Sequence, residues 1–243
     1  ADVGDIVLAP SYVAGQHAAL ARVYLAARRY ADALPEYARA LDGLRKGKDA
    51  NIVRVFEAEY AAALQGRGRD RESRAIAERL AGEGSPGTSW QRRALLVLAR
   101  LEHRAGRLDR AMALLEQADE DAPRTARARV LVAEIRLQKA LLLLDRRRLD
   151  DARAALRDAD AMRRTVEGVT TPLAADILVG LGRVELAAGR RSDAVRFFTE
   201  ADRFWRVFDP AHPDAREAAT WLSRVTDVGS TPTGTRSRSP RAP

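Results

Sequence analysis

The chain has 243 residues, 46% apolar, 31% charged and 5% aromatic, and its 42 lysines and arginines against 34 aspartates and glutamates leave a net charge of +8. It is long enough to bury a sizeable core, and its wealth of Ala, Leu and Arg favours helix. Without a cysteine it forms no disulfide or thiolate metal site, and no apolar run approaches the ~20 residues that span a bilayer.

Only Lys46, Lys48 and Lys139 are lysine, so the basic residues are almost all arginine. That ratio, with abundant alanine, fits a GC-rich genome better than selection for nucleic acid, although basicity still permits acidic partners. Residue 1 is alanine, which predicts a chain processed or excised from a longer one. ADVGDIVLAP lacks the basic start and apolar core of a signal peptide, and residues 1–10 read as a linker.

The first periodic stretch places His17, Leu20, Ala21 and Tyr24 ahead of Tyr30, then Ala33, Tyr37, Ala40 and Leu41. This spacing resembles the tetratricopeptide repeat signature: a large residue, Leu-Gly and Tyr in one helix, then Ala-x3-Phe in the next. Small Ala21 and Ala33 let two paired helices approach, while Leu20, Tyr24 and Tyr37 fill the space around the contact. His17 stands where the family carries a large aromatic and is read as packing.

In the second unit, Phe56, Tyr60, Ala61 and Leu64 lead to Gly68, then Ser73, Ala77 and Leu80, with small and large partly exchanged. Its loop from Gly82 to Gly87 spells GxGxxG. A dinucleotide fingerprint must follow a strand and open a helix, whereas this one follows a helix and contains Pro86, so it reads as a loop between repeats. The third unit is regular: Leu95, Leu98, Ala99, Gly106, Leu108, Ala111, Leu115 and Ala118, with Pro123 where the signature ends in proline. The fourth has a long first helix, about Thr125 to Asp145, with leucine at 141–144, then Leu149, Ala152, Leu156 and Ala159. Lys139 occupies a family leucine position and predicts a shift or kink there.

The fifth unit carries Leu178, Leu181-Gly182, Gly189, Ala194, Phe198 and Ala201, and continues into a turn from Asp209 to Pro213. That turn is similar to the GPxHP-type connection of the longer, kinesin-light-chain-type repeats, with His212 shaping it. A last amphipathic helix with Ala218, Ala219, Leu222 and Val225 would cover the end of a stack. Residues 228–243, rich in Ser, Thr, Pro and Gly with three arginines, read as a disordered basic tail.

The anchor residues Ala33, Ser73, Ala111, Ala152 and Ala194 are 40, 38, 41 and 42 residues apart, and five residues before each lies a turn, at Arg28, Gly68, Gly106, Arg147 and Gly189. The resemblance therefore implies an all-α fold over residues 11–227: a right-handed superhelical solenoid of about five helical hairpins plus a C-terminal capping helix.

No GxSxG, HExxH or P-loop occurs, and none of the three histidines has a partner at metal-ligand spacing. No catalytic residue, metal or cofactor is assigned, and the chain is read as no enzyme. Glu102 and Glu185 take the family's Tyr position and predict half-buried ion pairs with arginine. Asp150/Asp151 and Asp158/Asp160 suit helix starts and local arginine pairs.

In this family the first helix of each unit lines a concave face. Eleven residues before each anchor, at a position expected to point inward, stand Arg22, Ala62, Arg100, Leu141 and Arg183, with His103 and Arg104 near Arg100. Arginines so placed can hold carboxylates. Arg22, Arg100, His103, Arg104 and Arg183 are thus the candidate partner-binding residues, for an acidic segment or a free C-terminus of another protein. The expected role is a protein–protein interaction scaffold within a larger bacterial signalling or regulatory protein, such as a serine/threonine kinase. Its expected place is the cytoplasm, or the periplasm if it is joined to a membrane-anchored chain. The alternatives are a nucleic-acid-associated regulator using its arginine faces and tail, and self-association through an exposed end of the stack.

Overall fold

Five turns set the architecture. Arg28, Gly68, Gly106, Arg147 and Gly189 all adopt positive φ, at 59°, 74°, 74°, 61° and 78°. In each, the next residue donates its N–H back five positions, as Arg29 to Tyr24, Arg69 to Leu64, Arg107 to Glu102, Arg148 to Leu143 and Arg190 to Glu185, at 2.8–2.9 Å. This left-handed cap satisfies the last carbonyls of the first helix and reverses the chain into the second. Three glycines adopt the conformation without steric cost; two arginines do not.

The computed structural model describes residues 10–47, 49–83, 87–119, 124–166 and 171–227. Among them are eleven helices and no strand: α1 (Pro10–Ala26), α2 (Tyr30–Arg45), α3 (Ala50–Gly66), α4 (Asp70–Glu83), α5 (Ser89–Arg104), α6 (Leu108–Ala118), α7 (Ala126–Asp145), α8 (Leu149–Arg164), α9 (Pro172–Ala187), α10 (Arg191–Phe208) and α11 (Pro213–Asp227). They form five antiparallel hairpins and a closing helix, stacked as a right-handed superhelical solenoid. Pro10 already opens α1, where its missing N–H costs no bond. The rest of the expected linker, Pro86, Pro123 and the expected tail lie outside the described residues.

All five anchors are fully buried. They sit where the two helices of a hairpin touch. Ser73 additionally donates its hydroxyl to the Ala61 carbonyl at 2.7 Å, so a polar anchor is tolerated without an unmet hydrogen bond. Gly182 marks one close approach of this kind: a β-carbon there would stand 2.5 Å from the Phe198 ring.

The leucine run of α7 follows from its place in the middle of the stack. It packs against α5, α8 and α9, and Leu131, Ile135, Leu142, Leu143 and Leu144 are all buried. A helix covered on several sides needs apolar residues on more than one stripe. It runs unbroken through Lys139, which is only half buried, so the expected shift or kink produces no interruption. At the far end α11 lays Ala215, Ala218 and Val225 into the core, and Trp221 stacks on Phe198 at 5.6 Å.

The buried carboxylates repeat like the turns. Glu102 is paired with Arg107 just beyond its own turn and, at 2.7 Å, with Arg74 from the second helix of the preceding unit. Glu185 does the same with Arg190 and Arg153. In both cases the distant arginine directly follows the preceding unit's anchor. The pairs therefore stitch one hairpin to the next.

Candidate functional site

The first helices of the five hairpins turn one side toward a common cavity of about 570 Å3. Residues seven apart fall on one helix face, and the lining follows that rule: Arg93 and Arg100 on α5, Glu134 and Leu141 on α7, Asp176 and Arg183 on α9. All five inward positions, Arg22, Ala62, Arg100, Leu141 and Arg183, line it, as does Arg104. His103 does not. Its ring turns aside to Asp145 at 2.7 Å and to Gln138 at 2.6 Å.

The arginines are not bare. Arg22 reaches both Glu59 oxygens through Nε, at 2.8 and 3.1 Å, and stacks over Phe56 at 4.1 Å. Arg104 donates to Asp70 at 2.7 Å, and Arg183 approaches Asp145 at 3.8 Å. At the centre, Arg93 and Arg100 share Glu134, at 2.5 and 3.4 Å. Burial works against the Glu134 charge, but the two guanidiniums outweigh it and hold its carboxyl below the ordinary range. Burial, with repulsion from Arg93 and Arg28, pulls Arg100 below the usual arginine value. Tyr30, whose hydroxyl is pushed up mainly by burial, packs its ring over Gly66 in the same cavity.

Residues not foreseen from spacing complete the wall. Arg28, in the first turn, reaches across to Asp176 on α9 and Asp214 at the start of α11. Its guanidinium also lies 6.0 Å from the Trp205 ring. Arg93 could have been found, since it precedes Arg100 by two turns on one face. Arg28 carries one signal in the sequence: a side chain where three other turns have glycine.

The other histidines are occupied. His17 meets Glu36 at 2.6 Å. His212 stacks on Trp205 at 4.7 Å and accepts a hydrogen bond from the Asp214 N–H, shaping the turn into α11. Asp150 and Asp151 pair with Arg153 and Arg148, and Asp160 with Arg163 and Arg164. No cluster of potential metal ligands occurs among the described residues, and no helix described is long and apolar enough to cross a membrane.

Comparison with known proteins agrees with this geometry. Residues 137–207 match the tetratricopeptide repeat family model. A search of curated protein sequences finds no match. Among solved structures the chain is similar to the Rap conjugation gene regulator of the plasmid pLS20, determined in complex with a Phr peptide (14% identity, 92% of this chain and 68% of that one, TM-score 0.61). It is also similar to a thermophilic TPR protein of Thermus thermophilus (20% identity, 86% and 98%, TM-score 0.57). A third similar structure is BtubC of P. vanneervenii (18% identity, 96% and 88%, TM-score 0.54).

Proposed function

We propose that this chain, a solenoid of tetratricopeptide repeats, is a protein–protein interaction scaffold that holds a segment of a partner protein in its concave groove. One observation carries it: equivalent positions of five successive first helices converge on a single cavity of about 570 Å3. Side chains repeated at one register along a concave wall suit a ligand that is itself a repeating chain. Seven arginines and five carboxylates line the cavity, and the positive surplus supports an acidic segment or a free C-terminus. That the Rap regulator forms a complex with a peptide supports a peptide as occupant.

The experiment is retention of a partner from native extract. Replacing Arg100, Arg104 and Arg183 together with Ala is expected to abolish it while the helical melting transition persists. Replacing the exposed Arg157 and Arg203 on second helices should leave it intact. Retention by the triple variant overturns the groove as the binding site. In the fuller form of this reading the solenoid is the docking or sensing arm of a larger bacterial signalling protein, such as a serine/threonine kinase. A native polypeptide well above the 26.7 kDa of this chain is the expected measurement.

A nucleic-acid role is the second reading, favoured only by the arginine content. Most groove arginines already face carboxylates of the same chain, and that weakens it. Sequence-independent binding that falls steeply with salt would restore it.

A further inference from the structure

Resting on the groove as the ligand site, we infer that Arg28 is a latch that closes the groove into a ring and selects what enters by size. Contacts in a solenoid normally join neighbouring units. Arg28 breaks that pattern: it belongs to the first hairpin, yet its two guanidinium nitrogens bind Asp176 of the fifth hairpin and Asp214 of the closing helix. The three side chains are only 22–28% exposed, so the bridge is shielded rather than solvated on an open surface.

The backbone supports the assignment. Arg28 holds φ at 59°, in the left-handed region where glycine stands in the second, third and fifth units. The other exception, Arg147 at 61°, is exposed and bridges nothing among the described residues. Strain kept at a position whose side chain joins the first hairpin to the fifth and the closing helix points to a use for that contact. With the bridge formed, the wall borders a partly open cavity of about 570 Å3, within the range of sites that take a compact molecule or a short peptide. A longer segment lies along the groove only after Arg28 releases its two carboxylates. The bridge then re-forms over it or stays open.

The test needs no knowledge of the ligand. The chain has no cysteine, so Leu141→Cys places one thiol on the cavity wall. Its reaction is timed with N-ethylmaleimide and with a maleimide carrying a bulky polyethylene glycol. In the otherwise unaltered chain the bulky reagent should lag far behind the small one. Arg28→Gly, which removes the latch and relaxes the turn, should raise the bulky rate severalfold and leave the small one nearly unchanged. Asp176→Asn with Asp214→Asn should do the same without touching the turn. Arg147→Gly, which relaxes an identical turn, should do nothing. Spin labels on Gln16→Cys and Ala219→Cys provide a second measurement, with longer and broader distances expected in the Arg28→Gly and double Asn variants. Unchanged rate ratios and distances in both variants overturn the latch. Because the readout contains no ligand, that failure is separate from failure of the groove. The groove reading is overturned only by partner retention in the Arg100/Arg104/Arg183 variant.

Discussion

Glu102 shows how a single carboxylate is made structural. Its side chain is 1% exposed, and Arg107 and Arg74 bind its two oxygens. Arg107 first, then Arg74, outweigh the burial penalty and hold its carboxyl down to about 2, against an ordinary 4.5. Because the folded value is depressed, the stabilisation is complete above pH 4.5 and is lost as pH falls from there toward 2; it amounts to at most about 3 kcal/mol. Denaturant titrations across that window should show the loss, and Glu102→Gln should flatten it. At neutral pH the same substitution should cost about 1–3 kcal/mol, below the value for a dry pair because both arginines keep contact with water. Arg147 offers the opposite case. Its side chain is exposed and its φ is 61°, so Arg147→Gly should be neutral or stabilise by up to about 1 kcal/mol in the same titration.

The hairpin is the next scale, and close approach governs it. Phe198 lies against the bare backbone of Gly182, so Gly182→Val forces ring or backbone to move. A loss of about 1–3 kcal/mol, read as a lower midpoint of urea unfolding, is expected. Elements of this kind were legible in the sequence. Small anchors and turns recur at nearly constant intervals, because the close contact and the chain reversal within each hairpin call for both, even at Arg28 and Arg147 where the side chain opposes the positive φ. The inward register of Arg22, Arg100 and Arg183 was legible too: the constant spacing from each anchor puts them at equivalent positions, and the family resemblance implied which face is concave. Their partners were not. Glu59, Glu134 and Asp145 each come from a different unit than the arginine they meet, and which rows of two helices face one another depends on stacking rather than on period. The same limit applies to His103, whose position beside Arg100 gave no hint that Asp145 and Gln138 would draw it away from the cavity.

At the scale of the whole molecule, the groove results from the summed rotation of five hairpins. That rotation brings the first turn opposite α9 and α11, a contact that no local pattern encodes. It also gives the wall its mixed charge, since carboxylates of one unit meet arginines of another, as Glu59 meets Arg22, Glu134 meets Arg93 and Arg100, and Asp176 meets Arg28. Replacing the three concave arginines with Ala therefore has two effects: it removes candidate contacts, and it takes Asp70's arginine away while leaving Glu134 to Arg93 alone and Asp145 to His103. Melting of the triple variant measures the second effect independently of partner retention.

The contact between Arg28 and Asp214 joins residues 186 positions apart. In a chain whose other units can assemble from neighbour to neighbour, closing so long a loop early would cost entropy with nothing yet built to offset it. The bridge should thus be absent from the folding transition state. Arg28→Gly is expected to leave the refolding rate unchanged and to register only in unfolding, in a stopped-flow chevron. By this ordering the ring is the last part of the molecule to assemble and the first to come apart.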